Sequence, residues 1–185
     1  PQGRTPVFVE GQIGAVGGAT VIAEYLDETR GLALGDRRLL PDDPRGRVEV
    51  RRLLDWFNGK MFMEVTDYLM TERVFKRLMP SHQGGGAPDV ASMRAGRNNI
   101  RYHLAYVGFL MRNRNWLAGD RLTYADLAAA AQFSCADYLG DVPWQDNEQA
   151  KQWYARIKSR PSFRPLLMDR LSGMPPADHY ADLDF

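Results

Sequence analysis

The side chains best suited to chemistry in this chain are few. There is one cysteine, Cys135, and there are three histidines: His82, His103 and His179. Cys135 falls in "LTYADLAAAAQFSCADYLG", a segment too apolar for a reactive thiol, which needs an exposed, electropositive setting. It reads as an inert core cysteine. His82 lies in the glycine-rich "MPSHQGGGAPD", His103 in a helical pattern and His179 in "HYADLDF". Their spacing matches no metal-ligand pattern, and no Ser/His/Asp order accompanies them, so they read as structural or solvated. Asp126 is a carboxylate in an apolar run. It sits three residues after Thr123, and together they read as a capping box that closes the start of a helix. One stretch points to a ligand. In "VGGATVIAEYLDE", residues 16–28, Gly17, Gly18 and Ala19 stand where an amphipathic helix begins. The free N–H groups of such a helix end, with its dipole, hold an anion.

These residues need elements to position them. "TPVFVE" is short, β-branched and aromatic and predicts a strand, with Pro6 at its tolerated first position. "GQIGAV" predicts a turn and a second strand. Val21, Ile22, Tyr25 and Leu26 then share one helix face, and Gly31 is the expected C-cap. The predicted unit over residues 1–30 is the C-terminal part of a small α/β domain that begins upstream of residue 1. Residues 31–43, with Gly31, Gly35 and Pro41, read as a linker. Helical periodicity follows. Val50, Leu53, Leu54, Phe57, Met61, Val65 and Leu69 repeat at three and four, which predicts one long helix from about 44 to 78. A second, antiparallel to it, is expected from about 89 to 113. The capped helix comes next. Another follows with Ala150, Trp153, Tyr154 and Ile157 inward, then a short one opened by Pro161. The all-α bundle is assigned to 44–171 and a tail to 172–185.

Composition narrows the function classes. The 185 residues are 44% hydrophobic, enough for a sizeable core. Formal net charge is +1, which gives no global case for nucleic acid or membrane binding. A single cysteine excludes a disulfide framework. No run of 18 apolar residues is present, and no secretory signal opens the chain. The tail is the most informative segment outside the core. It sets Tyr180, Leu183 and Phe185 among Asp178, Asp182 and Asp184. Apolar anchors among acids suggest docking, either onto its own bundle or onto a partner.

The element order, with "GRTPVFVE", "VIAEYLDE", "LAGDRLTYADLAAAA" and "KSRPSFRPLL", resembles the glutathione transferase superfamily over residues 1–171. That resemblance implies a thioredoxin-like N-terminal domain, here partial, followed by an all-α domain. It also implies a cis-proline at Thr5–Pro6 and a glutathione site around Thr5, Pro6, Val7, Gly18 and Ala19. Family members carry Glu or Gln followed by Ser at the last two positions, where they hold the γ-glutamyl end of glutathione. Here both side chains are missing. Each lost hydrogen bond to a charged group is worth roughly 1.5–3 kcal/mol, so losing two weakens binding by roughly two to four orders of magnitude. The combination "EYLDETRG", "LGDRRLLP", "FSCADYLGDVPW" and "HYADLDF" further resembles a branch of alphaproteobacterial division proteins that bind the tubulin homologue FtsZ. It implies a non-catalytic, cofactor-free, homodimeric adaptor for FtsZ filaments at the cytoplasmic division site. Tyr180, Asp182, Leu183, Asp184 and Phe185 are then the expected partner-binding residues. The alternative is a glutathione-dependent transferase with an atypical thiol site.

Overall fold

The computed structural model describes residues 5–185; residues 1–4 of the expected 1–30 unit lie outside the described residues. Strands β1 (Val7–Glu10) and β2 (Gly14–Gly17) form an antiparallel ribbon with Val7 opposite Gly17 and Glu10 opposite Gly14. The turn between them closes at Gly14, whose φ of 69° suits a residue without Cβ. Helix α1 (Ala19–Arg30) follows. Tyr25 donates from its hydroxyl to Glu10 at 2.6 Å, which ties α1 to β1. The expected inward face of α1 is only partly covered, and Val21 is exposed. The buried member of α1 is instead Asp27.

Asp27 explains the segment predicted as a linker. Residues Gly31–Arg37 wind as a 3-10 turn. Its exit is clamped because Arg38 Nε donates to Asp27 Oδ2 at 2.7 Å and the Leu40 N–H to Oδ1 at 3.2 Å. Gly31 does cap α1, but its backbone is right-handed, not left-handed. The reason for glycine is space, since a Cβ there would lie 2.9 Å from Asp27 Oδ1.

Helix α2 (Pro44–Asp55) starts on Asp43, whose carboxylate accepts from the Gly46 N–H at 2.7 Å. The helical run then continues to Leu78, as the periodicity predicts, but not as a plain α-helix. Trp56–Thr66 and Thr71–Phe75 are π-helical, with Asp67–Met70 between them and Lys76–Leu78 after them. Helix α3 (Val90–Met111) packs antiparallel to this run. Its His103 meets Trp56, its Asn99 meets the Glu64 carbonyl and its Gly96 meets Leu69. Helix α4 (Tyr124–Tyr138) runs parallel to the long helix, from the Leu39 carbonyl past Thr66 to Arg73. Helix α5 (Glu148–Lys158) closes the bundle. The expected last helix is a 3-10 turn, Arg164–Met168, shorter than predicted. The core runs through Phe57, Met61, Ile100, Leu104, Phe133, Trp153 and Tyr154, each fully buried.

Candidate functional site

The start of α1, where the sequence suggests an anion site, adjoins Thr5–Pro6, a cis peptide bond. The Pro6 carbonyl accepts from the Gly18 N–H at 3.2 Å, so that donor is already used. Gly18 is the N-cap of α1 with φ 97° and ψ 122°, and no side chain caps the helix. Ala19 is its first residue and brings a methyl, with no polar side-chain group. Thr5, Gly18 and Ala19 are exposed and Val7 is 43% exposed. The helix end retains its dipole and further N–H groups, and neither Gly18 nor Ala19 adds a side-chain hydrogen-bonding group to it. A positive φ also disfavours any L side chain at Gly18.

Asp126 holds the start of α4, and it does more than cap. The capping box with Thr123 forms. The Thr123 N–H and hydroxyl donate to Asp126 Oδ2 at 2.9 and 3.1 Å. Oδ1 accepts from the Leu117 N–H at 2.9 Å and from Trp153 Nε1–H at 3.0 Å. One fully buried carboxylate therefore joins the preceding loop, α4 and α5. Burial pushes its carboxyl above the usual value while these four donors hold it down.

Cys135 is half-buried, more accessible than predicted, and burial raises its thiol. A thiol so poised is a poor nucleophile. It lines an apolar hollow of about 170 Å³ with Met70, Tyr138, Leu166, Leu171 and Tyr180. His103 is buried with both ring nitrogens occupied. Trp56 Nε1–H donates to Nδ1 at 3.1 Å, and Nε2 faces Glu64 at 3.2 Å. His82 is exposed. Among the described residues, no three His, Cys, Asp or Glu side chains converge on a metal position, and no helix is long and apolar enough to cross a membrane.

The tail returns onto its own bundle. The Ala177 N–H donates to the Tyr138 carbonyl at 2.9 Å. Tyr180 is 2% exposed, packs edge-on against Tyr138 at 5.1 Å and shares a hydrogen bond with Ser134 at 3.2 Å. It is core, and so cannot be a partner anchor while the tail is docked. Phe185 rests against Trp144 and Tyr154, at 5.3 and 5.9 Å between ring centres, and both it and Leu183 are half-buried. Asp182 and Asp184 remain exposed. Trp144 is buried and stacks on Tyr154 at 4.7 Å.

Beneath the tail lies a charged group that sequence reasoning missed. Asp137 and Lys158 have fully buried side chains, with Nζ 3.9 Å from Oδ2. His179, read as structural or solvated, pairs with Asp137 at 2.9 Å. The signal was spacing. Lys158 follows Tyr154 by four residues on an inward helix face, where a lysine needs a buried partner.

Comparison with known proteins agrees with this architecture. The family model "Glutathione S-transferase, C-terminal domain" matches residues 90–161. FtsZ-localized protein A of Caulobacter vibrioides is 46% identical over 100% of this chain and 79% of its own length. The crystal structure of a glutathione S-transferase from Sinorhizobium meliloti 1021 superposes with a TM-score of 0.95 at 55% identity, covering 99% of this chain and 79% of that one. FzlA from C. crescentus superposes with a TM-score of 0.86 at 46% identity, covering 97% of this chain and 76% of that one. The two-stranded ribbon with α1 is thus the thioredoxin-like part of a two-part fold, the bundle is its helical part, and the chain belongs to the glutathione S-transferase superfamily.

Proposed function

We propose that this chain is a non-catalytic adaptor that binds FtsZ filaments at the division site and regulates constriction, acting as a homodimer without a cofactor. The observation that carries this reading is its 46% identity, along the whole chain, to FtsZ-localized protein A. The bare helix end at Gly18 and Ala19 supports it, because selective glutathione binding needs the side chains these positions lack. On this reading Asp182 and Asp184 face the partner, while Tyr180, Leu183 and Phe185 hold them in place from below. The test has two arms. Glutathione titrated by calorimetry should bind no tighter than the millimolar range, and the protein should pellet with FtsZ polymerised by GTP. Micromolar glutathione affinity with turnover of a model electrophile would overturn the reading.

A second reading is a glutathione-dependent transferase with an atypical thiol site. The hollow beside Met70 and Cys135 favours it, being apolar enough to take a small hydrophobic co-substrate. Turnover in the calorimetric arm, with no protein in the FtsZ pellet, is the outcome it requires.

A further inference from the structure

The tail meets the bundle through one polar joint. His179 Nε2 lies 2.9 Å from Asp137 Oδ1, which also accepts from Trp144 Nε1–H at 2.7 Å. The Asp137 side chain is fully buried, whereas that of His179 is 36% exposed and so in contact with solvent protons. Lys158 Nζ donates to the His179 carbonyl at 3.2 Å and lies 3.9 Å from the centre of the Phe185 ring. His179 therefore binds α4 through its ring and α5 through its carbonyl, while Phe185 closes over the buried ammonium. Lys158 stands 3.9 Å from Asp137 Oδ2, beyond hydrogen-bond distance, so a protonated His179 is the closer cation to that carboxylate. A neutral imidazole supplies the joint with an N–H at most; an imidazolium supplies the same N–H and a charge facing a buried anion.

We propose that residues 177–185 form a proton-operated strap: protonated His179 locks it to Asp137, and loss of that proton loosens the strap as a unit, uncovering the seat of Phe185 on Trp144, Tyr154 and Lys158. The charges facing His179 are these. Asp137 comes from α4, Lys158, Lys151 and Glu148 from α5, Arg97 and Arg101 from α3, Asp141 and Asp146 from the α4–α5 connection, and Asp182 from the strap itself. Arg97 and Arg101 are engaged by Asp141 and Asp146. Lys151 lies over Phe185 at 5.5 Å. Asp137 and then Asp182 favour the imidazolium; desolvation and Lys158 oppose it, and the hydrogen bond to Asp137 prevails, raising His179 above the ordinary 6.5. Docking is therefore strongest below that value and weakens as pH rises through the raised one. The strap carries Asp182 and Asp184 of the proposed partner face, yet its opening is read on the tail alone and stands or falls without FtsZ.

The experiment uses the full chain and measures amide protection by NMR exchange, normalised to an unstructured peptide at each pH. The reporters are the N–H groups of Ala177, Tyr180 and Asp182, which donate to Tyr138, Ala177 and His179. Their protection should fall about threefold or more between pH 6 and 8.5 in the wild type, since one unit of pKa difference is tenfold in the docking constant. Amides of α5 should not change. In His179→Gln the tail amides should show a flat, low protection. A flat wild-type profile, or an equal fall in His179→Gln, overturns the proposal. A second readout needs no variant. The His179 ring signals should titrate above 6.5 together with those of the Phe185 ring, and titration at or below 6.5 overturns it as well.

Discussion

Replacing Asp126 separates a cap from a hub. As a capping residue alone it would be worth about 1 kcal/mol. In the structure it is the acceptor for four donors, at 2.9–3.1 Å, from Leu117, Thr123 and Trp153. Asp126→Ala strands the Leu117 N–H, the Thr123 N–H and the Trp153 indole N–H, in residues 0–2% exposed. The Thr123 hydroxyl can turn elsewhere. At roughly 1–3 kcal/mol per buried unpaired donor, less the relief of no longer burying a carboxylate, the expected loss is about 4 kcal/mol. Asp126→Asn keeps one oxygen. If this stays with Leu117 and Trp153, only the Thr123 N–H is left facing an amide NH₂, for about 2 kcal/mol. Thr123→Ala should cost about 1 kcal/mol. The assay is urea unfolding followed by far-UV circular dichroism, with coincident tryptophan fluorescence to establish two-state behaviour. A double-mutant cycle with Trp153→Phe adds the test of geometry. Trp153→Phe should cost nearly as much in Asp126→Asn as in the wild type and clearly less in Asp126→Ala, so the cycle returns a coupling near zero with Asn and a distinct one with Ala. If Asp126→Ala costs no more than Thr123→Ala, or if Asn and Ala are equivalent, the hub reasoning is wrong.

Four further outcomes are expected. Gly108→Ala places a Cβ 2.2 Å from Asn147 Nδ2, and Asn147 caps α5 through the Ala150 N–H, so unfolding should become easier by roughly 1–3 kcal/mol in urea titrations. His103 is held below the ordinary 6.5 by burial, so its contribution to stability is present above that value and lost as pH falls through the lowered one; His103→Gln should flatten the decline in unfolding free energy from pH 6.5 downward. Glu49 is held at about 2 by its hydrogen bonds to Arg52 and then Arg114, so its contribution is present above 4.5 and fades towards pH 2, and Glu49→Gln should remove that part of the acid limb. Asp182→Lys should weaken co-pelleting with FtsZ, with a loss that shrinks in high salt, while the melting temperature stays within about 1 °C; a large drop in melting temperature would make Asp182 structural instead.

Local signals were legible and non-local ones were not. Thr123 and Asp126 lie three residues apart, and Gly18 and Ala19 adjoin the helix they start, so pattern alone located both ends. The stripe from Val50 to Leu69 announced the long helix because burial repeats with the backbone period. The other half of Asp126's work comes from Leu117 and from Trp153, the latter 27 residues away, and no spacing rule reaches that far. Nothing local marks Asp27, since only folding brings Arg38 and Leu40 onto it. The tail's alternation of apolar and acidic residues suggested docking, onto its own bundle or onto a partner. Its seat is assembled from α4, α5 and the loop between them, so the choice of its own bundle was not readable in advance.

The π-helical stretches bear on the path of the longest helix. Phe57, Met61, Val65 and Leu69 are all fully buried at a strict spacing of four. In an ideal α-helix each four-residue step overshoots a full turn by about 40°, so three steps would carry such a row about 120° around the rod. Coiled coils answer a similar drift by winding around one another. Here the wider turns of Trp56–Thr66 offset that drift within the backbone, over the stretch that carries Phe57, Met61 and Val65. The row is buried throughout, and the run that carries it meets α3 at His103 and Gly96 and α4 at Gln132. Removing a residue from Trp56–Thr66 would therefore act like a change of gear, turning every side chain beyond it to a new compass bearing.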